Sequence, residues 1–416
     1  MRTPSRRELL KVGLGALPVI SLAGTMPAFV PQMAFAEQAK RPGLANDNIL
    51  VVLQLTGGND GLNTVIPVGD DAYHRARPKI GLRSSPFTLD DHFALHPALG
   101  MLKNVYDQGH LAIVHGCGYP KSNRSHFRSM EIWHTGNVDA PQPGGWLGHY
   151  LDHAARGGQA PVFPMNIGTE LPQALVGDGT PVPSIERLED FRLRSGSKSR
   201  RAMTEREIVM EMNRAAEEQS PALKFLARQA TNAIVATTKV QNLARQPGSP
   251  GGVYYGADPV GRQLQLIANL IAANSGTRLF YLQYANFDTH ANQGELHQRL
   301  FAPLGQALFA FHQDLRQRGM IDKVALMCFS EFGRRVDENG SGGTDHGAAA
   351  PMFVMGGTVK GGFHGQMPSL TDLDLNDGDL KYTTDFRRVY ATLLDRWLNA
   401  DAAKVLGARF EPVGFM

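Results

Sequence analysis

The sequence predicts an α/β protein: a mainly parallel sheet sandwiched between helices and interrupted by a helical insertion. Three observations predict it. Short apolar runs at Ile49–Leu55, 111–114, 278–284, 323–329 and 352–355 read as buried strands. Segments of helical period separate them, and that alternation is the pattern of a parallel sheet with helices on both faces. Each run before 350 also ends in a cluster of glycine, asparagine and ionisable residues, where ligands of open α/β sheets collect.

The chain has 416 residues and opens on Ser5-Arg6-Arg7-Glu8-Leu9-Leu10-Lys11, followed by a short apolar run from Val12 to Ala23 that Pro18 interrupts. That run is too short to span a bilayer comfortably. Ala34-Phe35-Ala36 supplies a small-x-small cleavage pattern. The paired arginines resemble a bacterial twin-arginine signal over residues 1–36, a route known for exporting folded proteins, often with a cofactor loaded. The mature chain is then expected to begin near Glu37 and to reside in the periplasm or medium, without a stable membrane span. Arg2, Arg6, Arg7 and Lys11 against Glu8 give the signal a net charge equal to the whole chain's +3. The mature part is therefore neutral and has no global field to hold nucleic acid or anionic lipid.

Roughly 380 residues remain, enough for one large domain at 37–416. The two cysteines, Cys117 and Cys328, allow one disulfide but no framework; lying in or beside strand-like runs, they read first as core thiols, so the fold must rest on its hydrophobic core. After the first strand, 96–108 has helical spacing and stops at Gly109. Strand 111–114 leads through a polar loop into a helix over 125–133. The charged stretch at about 200–250, with Leu223, Phe225, Leu226 and Ala230 on one stripe, reads as a helical insertion. Strand 278–284 follows. Leu296, Leu300, Leu304, Leu308, Phe311 and Leu315 then step along a long amphipathic helix. Thr384 caps a last helix that carries Phe386, Val389, Tyr390, Leu393, Leu394 and Trp397 on one face.

The segments after the strands hold the chemistry. They are Thr56-Gly-Gly-Asn-Asp60, Ser125-His126-Phe127, Asn286-Phe-Asp288-Thr-His290, Ser330-Glu331-Phe332-Gly-Arg334 and Gly343-Thr-Asp345-His346. Carboxylate oxygen with imidazole nitrogen is a ligand set for zinc, manganese or iron. Asp288, His290, Asp345 and His346 are the candidate ligands, with Asp60 and Glu331 completing one or two sites. Singly, each acid also reads as a loop cap. Ser125, where a helix begins, is either a nucleophile in the field of the helix N-terminus or a helix cap. Arg124 and Arg128 either bind an anionic ester or face solvent. His149, His153, His297 and His364 read as ordinary polar residues. Gly57-Gly58 lacks the lysine and spacing of a phosphate-binding loop.

Taken together with Trp133-His-Thr-Gly136, these motifs resemble a large uncharacterised bacterial family of twin-arginine-exported proteins, usually described as a domain of unknown function. That family is thought to belong to the alkaline phosphatase and sulfatase superfamily, and the resemblance covers nearly all of the mature chain. It implies an alkaline phosphatase-like fold, Asp60 as a metal ligand after the first strand, and Ser125 as nucleophile. It further implies that Asp288, His290, Glu331 and His346 are ligands for one or two divalent ions of zinc, manganese or calcium. Trp133-His-Thr-Gly136 is similar to the superfamily's Trp-Ser-Thr-Gly, and Thr383 to Leu394 to its last helix. Where the superfamily has Asp-His, this chain has Glu331-Phe332; phenylalanine offers no ligand, and Asp345 stands in for the histidine. The expected function is an exported metal-dependent hydrolase of phosphate or sulfate esters. Arg124 or Arg334 would orient the anion by paired hydrogen bonds. The rival expectation, favoured by Phe332, is a non-catalytic binding protein that recognises a cell-envelope component on a decayed scaffold. A third, suggested only by the export route, is a cofactor-carrying oxidoreductase or maturation factor.

Overall fold

The computed structural model describes residues 47–156, 162–178, 182, 184–185, 252–371 and 375–416. The signal expected over 1–36 and the helical insertion expected at about 200–250 lie outside the described residues.

In chain order the described elements begin with β1 (Ile49–Leu55), α1 (Gly61–Thr64), β2 (Val65–Ile66), α2 (Asp71–Ala76) and β3 (Ala94–Leu95). A 3-10 turn at Pro97–Leu99 leads into α3 (Met101–Asp107), β4 (Leu111–Gly118), α4 (His126–Thr135), α5 (Trp146–Arg156) and β5 (Phe163–Ile167). Then come α6 (Pro259–Ala272), β6 (Thr277–Tyr284), α7 (Gln293–Gln317), β7 (Val324–Ser330), β8 (Ala350–Gly356), β9 (Gly362–His364) and β10 (Thr384–Asp385). The chain closes with α8 (Phe386–Thr392), a π-helical turn at Leu393–Trp397, and α9 (Ala402–Leu406).

The main sheet has the order β10-β4-β8-β7-β1-β6-β5, with β9 also on β4. β5, β6, β1 and β7 run parallel, as do β9 and β10 with β4. β8 alone runs antiparallel, between β7 and β4. The fold is mixed α/β with a mostly parallel central sheet flanked by helices.

The period of β1 shows how the layers form. Val51, Leu53 and Leu55 face one side and pack with Leu102 and Val105 of α3, Val260, Leu264 and Ile267 of α6, and Leu304, Leu308 and Phe311 of α7. Leu50 and Val52 face the other and pack with Ile132 and Trp133 of α4, Trp146 and Leu147 of α5, and Val389 and Tyr390 of α8. A strand buried on both faces has no polar alternation, which explains why these runs read as continuous apolar stretches. Gln54 breaks the rule and is fully buried. Its carbonyl oxygen accepts from Tyr281, and His134 of α4 lies 3.0 Å from the same atom.

Register places the site. Leu55 stands level with Tyr284 of β6 and with Ser330 of β7. Three loops, from 56, 285 and 331 onward, therefore leave the sheet at one height. Among the described residues no helix is long and apolar enough to cross a membrane.

Candidate metal centre

The β1 loop is shaped by two glycines. Gly57 has φ +122, and a Cβ there would lie 2.5 Å from the backbone nitrogen of Asp288. Gly58 has φ +74, and its Cβ would strike the Phe332 ring at 2.2 Å. Only glycine lets three chain segments come this close. The Gly57 N–H donates to Glu331 Oε1 at 2.8 Å, locking the β1 and β7 loops together.

The loop between β7 and β8 folds back on itself, with Arg334 bridged to His346 in antiparallel fashion. Gly333 and Ala348 share a hydrogen bond of 2.8 Å, and Gly347 donates to the Gly333 carbonyl at 2.9 Å. This ladder carries His346 over the end of β6, where Asp288 and His290 wait.

The side chains then converge. Asp288 Oδ1 lies 3.0 Å from His290 Nε2 and 3.1 Å from His346 Nε2, and the two nitrogens are 2.9 Å apart. His126, first residue of α4, joins from the other side with Nε2 at 3.5 Å from Asp288 Oδ2. One ligand atom from each of His126, Asp288 and His346 falls within 4.8 Å of the others.

What the far nitrogens touch decides the chemistry. His346 Nδ1 lies 2.8 Å from the carbonyl oxygen of Arg124. His290 Nδ1 is 3.3 Å from Asp345 Oδ1, and His126 Nδ1 is 2.9 Å from Glu331 Oε1. All three partners are acceptors, so the hydrogen of each neutral ring sits on Nδ1 and the Nε2 lone pair points inward. The cluster is thus a set of acceptors crowded to within hydrogen-bond distance. A proton relieves one such contact, whereas a cation relieves all of them. His126 Nε2 is buried without a hydrogen-bond partner, the orphan such a cation would satisfy.

Charge follows the same logic. Burial opposes ionisation of Asp288, yet the hydrogen bond and charge of the Arg334 guanidinium hold its carboxyl at about 2. Burial pushes His346 below the ordinary imidazole range, keeping it neutral. The Glu331 hydrogen bond lifts His126, so a proton and a metal ion compete for its inward nitrogen. The Asn339 hydrogen bond lowers Asp345, preserving the anion that orients His290.

Several expectations need correction. Glu331 and Asp345 are not inward ligands but hold the Nδ1 atoms of His126 and His290. Asp60 is fully buried with Arg77 at 2.6 Å, Gln293 Nε2 at 2.6 Å and the Leu62 N–H at 3.1 Å, which occupies its oxygens. Burial raises its pKa, but the Arg77 guanidinium outweighs that and the carboxyl stays low.

Neither arginine is free for an anion. Arg124 Nε donates to Asp379 at 2.8 Å, and its guanidinium also reaches Asp377. Arg334 is buried and donates to the carbonyls of Gly57, Gly58, Thr344 and Phe287, and to Asp288 Oδ1 at 2.6 Å. Ser125 does sit at the cap of α4, but its hydroxyl makes no capping hydrogen bond and the residue is exposed. Asp288, His290 and His346 come together as expected.

His126 is a candidate ligand that sequence reasoning did not single out. Its signal was its place beside Ser125 at the start of a helix that follows a strand.

The chain is a mixed α/β protein whose carboxyl sheet edge carries three histidines and an aspartate, a cluster that could hold a metal ion. Residues 47–408 match the family described as a protein of unknown function, DUF1501, and the chain belongs to that family. No curated protein matches it. Two solved structures of Ps i-CgsB are similar, each at 8% identity over 88% of this chain and 73% of theirs. The one in complex with k-i-k-neocarrahexaose gives a TM-score of 0.33, the other 0.31. A likeness of that degree carries neither fold nor function to this chain.

Proposed function

We propose that the protein is an exported, metal-dependent hydrolase of phosphate or sulfate esters, built on an alkaline phosphatase-like scaffold. The observation that carries the metal reading is the triangle of acceptors, Asp288 Oδ1, His290 Nε2 and His346 Nε2, with sides of 2.9 to 3.1 Å. Such a donor set, with His126 as the fourth member, suits zinc, manganese or iron. Calcium, which prefers an all-oxygen shell, fits it poorly. With Asp60 bound to Arg77 and Phe332 offering no ligand, the centre holds one ion and not two. When bound, the ion supplies Lewis-acid stabilisation of negative charge on the ester oxygens.

The chain's own residues do the rest. Arg334 keeps Asp288 ionised and aimed, while Glu331, Asp345 and the Arg124 carbonyl keep the imidazoles in the binding tautomer. The Phe332 ring, 4.9 Å from His126 and 4.8 Å from His346 between centroids, keeps water from one side. Ser125, with its hydroxyl uncommitted, would attack phosphorus or sulfur, its proton passing to solvent as the ester's P–O or S–O bond breaks and the alcohol leaves; water then hydrolyses the seryl ester and restores the hydroxyl. Arg6 and Arg7 ahead of an apolar run support export to the periplasm or medium. The partners are a small anionic ester or envelope component and the export machinery.

A second reading, a non-catalytic envelope-binding protein, is favoured by the commitment of both Arg124 and Arg334 to other groups. Elemental analysis of protein purified without chelator, followed by ester turnover, separates the two. About one equivalent of metal with turnover lost in Ser125→Ala supports the hydrolase. Bound metal with no turnover of any phosphate or sulfate ester supports the binding protein. A chain that holds no metal and takes up none sinks the metal reading.

A further inference from the structure

Behind the histidine cluster lies a polar hub that the proposed chemistry does not use. Gln293, first residue of α7, is fully buried, as are Asp60, Thr289 and Thr344 around it. Its Nε2 donates to Asp60 Oδ2 at 2.6 Å. A carboxylate only accepts, so the orientation of this amide is fixed and Oε1 faces the other way. There it accepts from the hydroxyl of Thr289 at 3.0 Å and that of Thr344 at 2.6 Å.

The addresses of these partners carry the meaning. Thr289 stands between Asp288 and His290. Thr344 stands two residues before His346. Asp60 ends the glycine loop of β1. One amide therefore joins the two loops that carry Asp288, His290 and His346 to each other and to the glycine loop of β1. Backbone bonds tighten the same joint: Thr344 N–H to the Thr289 carbonyl at 3.3 Å and Gln293 N–H to the Gly342 carbonyl at 2.9 Å.

We infer that Gln293 is a positioning residue for the metal centre, setting the Asp288–His290 pair against His346 through the hydroxyls of Thr289 and Thr344. The inference rests on the metal reading above. It follows from geometry: the inward atoms are 2.9 to 3.1 Å apart, and a shift of one loop by a fraction of an ångström opens the triangle. Outer partners of metal ligands typically control affinity by about 10- to 100-fold.

The test is titration of the metal-free full chain with cobalt(II), read by the visible absorption of the bound ion, on the unsubstituted protein, Gln293→Leu, Thr344→Val and Thr344→Ser. Thermal unfolding of the metal-free forms runs in parallel. Gln293→Leu and Thr344→Val, which act one contact beyond the ligands' own hydrogen-bond partners, are expected to bind cobalt up to about 10-fold more weakly with altered absorption bands. Thr344→Ser, which keeps the hydroxyl, is expected to stay close to the unsubstituted protein. Should Gln293→Leu fail to fold, the valine and serine pair decides. Folded variants that melt earlier yet bind cobalt with unchanged affinity and bands would show a merely structural hub and overturn the inference. An unsubstituted chain that binds no cobalt overturns the metal reading itself, and the inference with it.

Discussion

Each histidine of the cluster uses its two nitrogens differently, and that division defines what substitutions should do. Asp288→Asn together with His346→Gln removes an anion and an inward nitrogen from the triangle. The double variant is expected to lose bound metal while its far-ultraviolet circular dichroism stays native; stoichiometric metal retained in it would refute the site. Glu331→Ala leaves the inward ligand residues unsubstituted and removes the acceptor shared by His126 Nδ1 and the Gly57 N–H. Metal affinity is expected to fall by about 10- to 100-fold, measured by competition with a chelator. The spacing of Asp288 with His290, and of Asp345 with His346, made the pairing visible in the sequence. Which acid binds metal and which binds a ring nitrogen was not visible, because that depends on which side of the imidazole the acid meets. Only the three-dimensional approach of separate loops decides it. Asp60 shows the same limit: a loop acid in the sequence, it is the buried partner of Arg77, 17 residues away.

At the scale of elements, the strands announce themselves because burial on both faces demands unbroken apolar runs. β5 does not, its short run being broken by Pro164 and Asn166, and neither do β9 and β10, since two or three residues carry no period. The antiparallel course of β8 is equally silent, as direction leaves no mark on a short buried run. The loops after β1 and β7 are more constrained than their polar composition suggests. Gly58 takes a left-handed conformation and faces the Phe332 ring. Gly58→Ala therefore combines backbone strain with overpacking, and a loss on the order of 2–4 kcal/mol is expected. A denaturant midpoint unchanged from the parent would contradict that packing. The same substitution should also weaken metal binding, because Phe332 leans on both His126 and His346.

Across the whole molecule, buried neutral imidazoles recur away from the metal centre. Burial lowers His96, His115, His134 and His312 to about 4. His297 is lowered to about 3 by the same cause. Their folded values lie below the unfolded value of about 6.5, so between these limits the unfolded chain binds more protons than the native one. Stability is then complete above pH 6.5 and declines as pH falls toward 4, continuing toward 3 through His297. For His134, enclosed by Gln54 and Tyr281, the penalty is on the order of 3 kcal/mol. Urea unfolding at a series of pH values should show this decline, with a shallower slope in His134→Gln. An unfolding free energy flat from pH 7 to 4 would rule it out.

The residues of the metal centre are far apart along the chain: His126 meets an acid 205 positions away, and Asp288 meets His346 across 58. An unfinished or unfolded chain consequently lacks the assembled set and keeps only local pairs such as Asp288 with His290. The choice of ion is made wherever folding finishes, from whatever that compartment offers, since such sites select more by availability than by intrinsic affinity. For a chain that folds before crossing the membrane, that compartment is the cytosol. On the proposal of folded export, any metal bound by the exported protein would record the cytosolic supply, and changing the external medium after export should leave its identity unaltered.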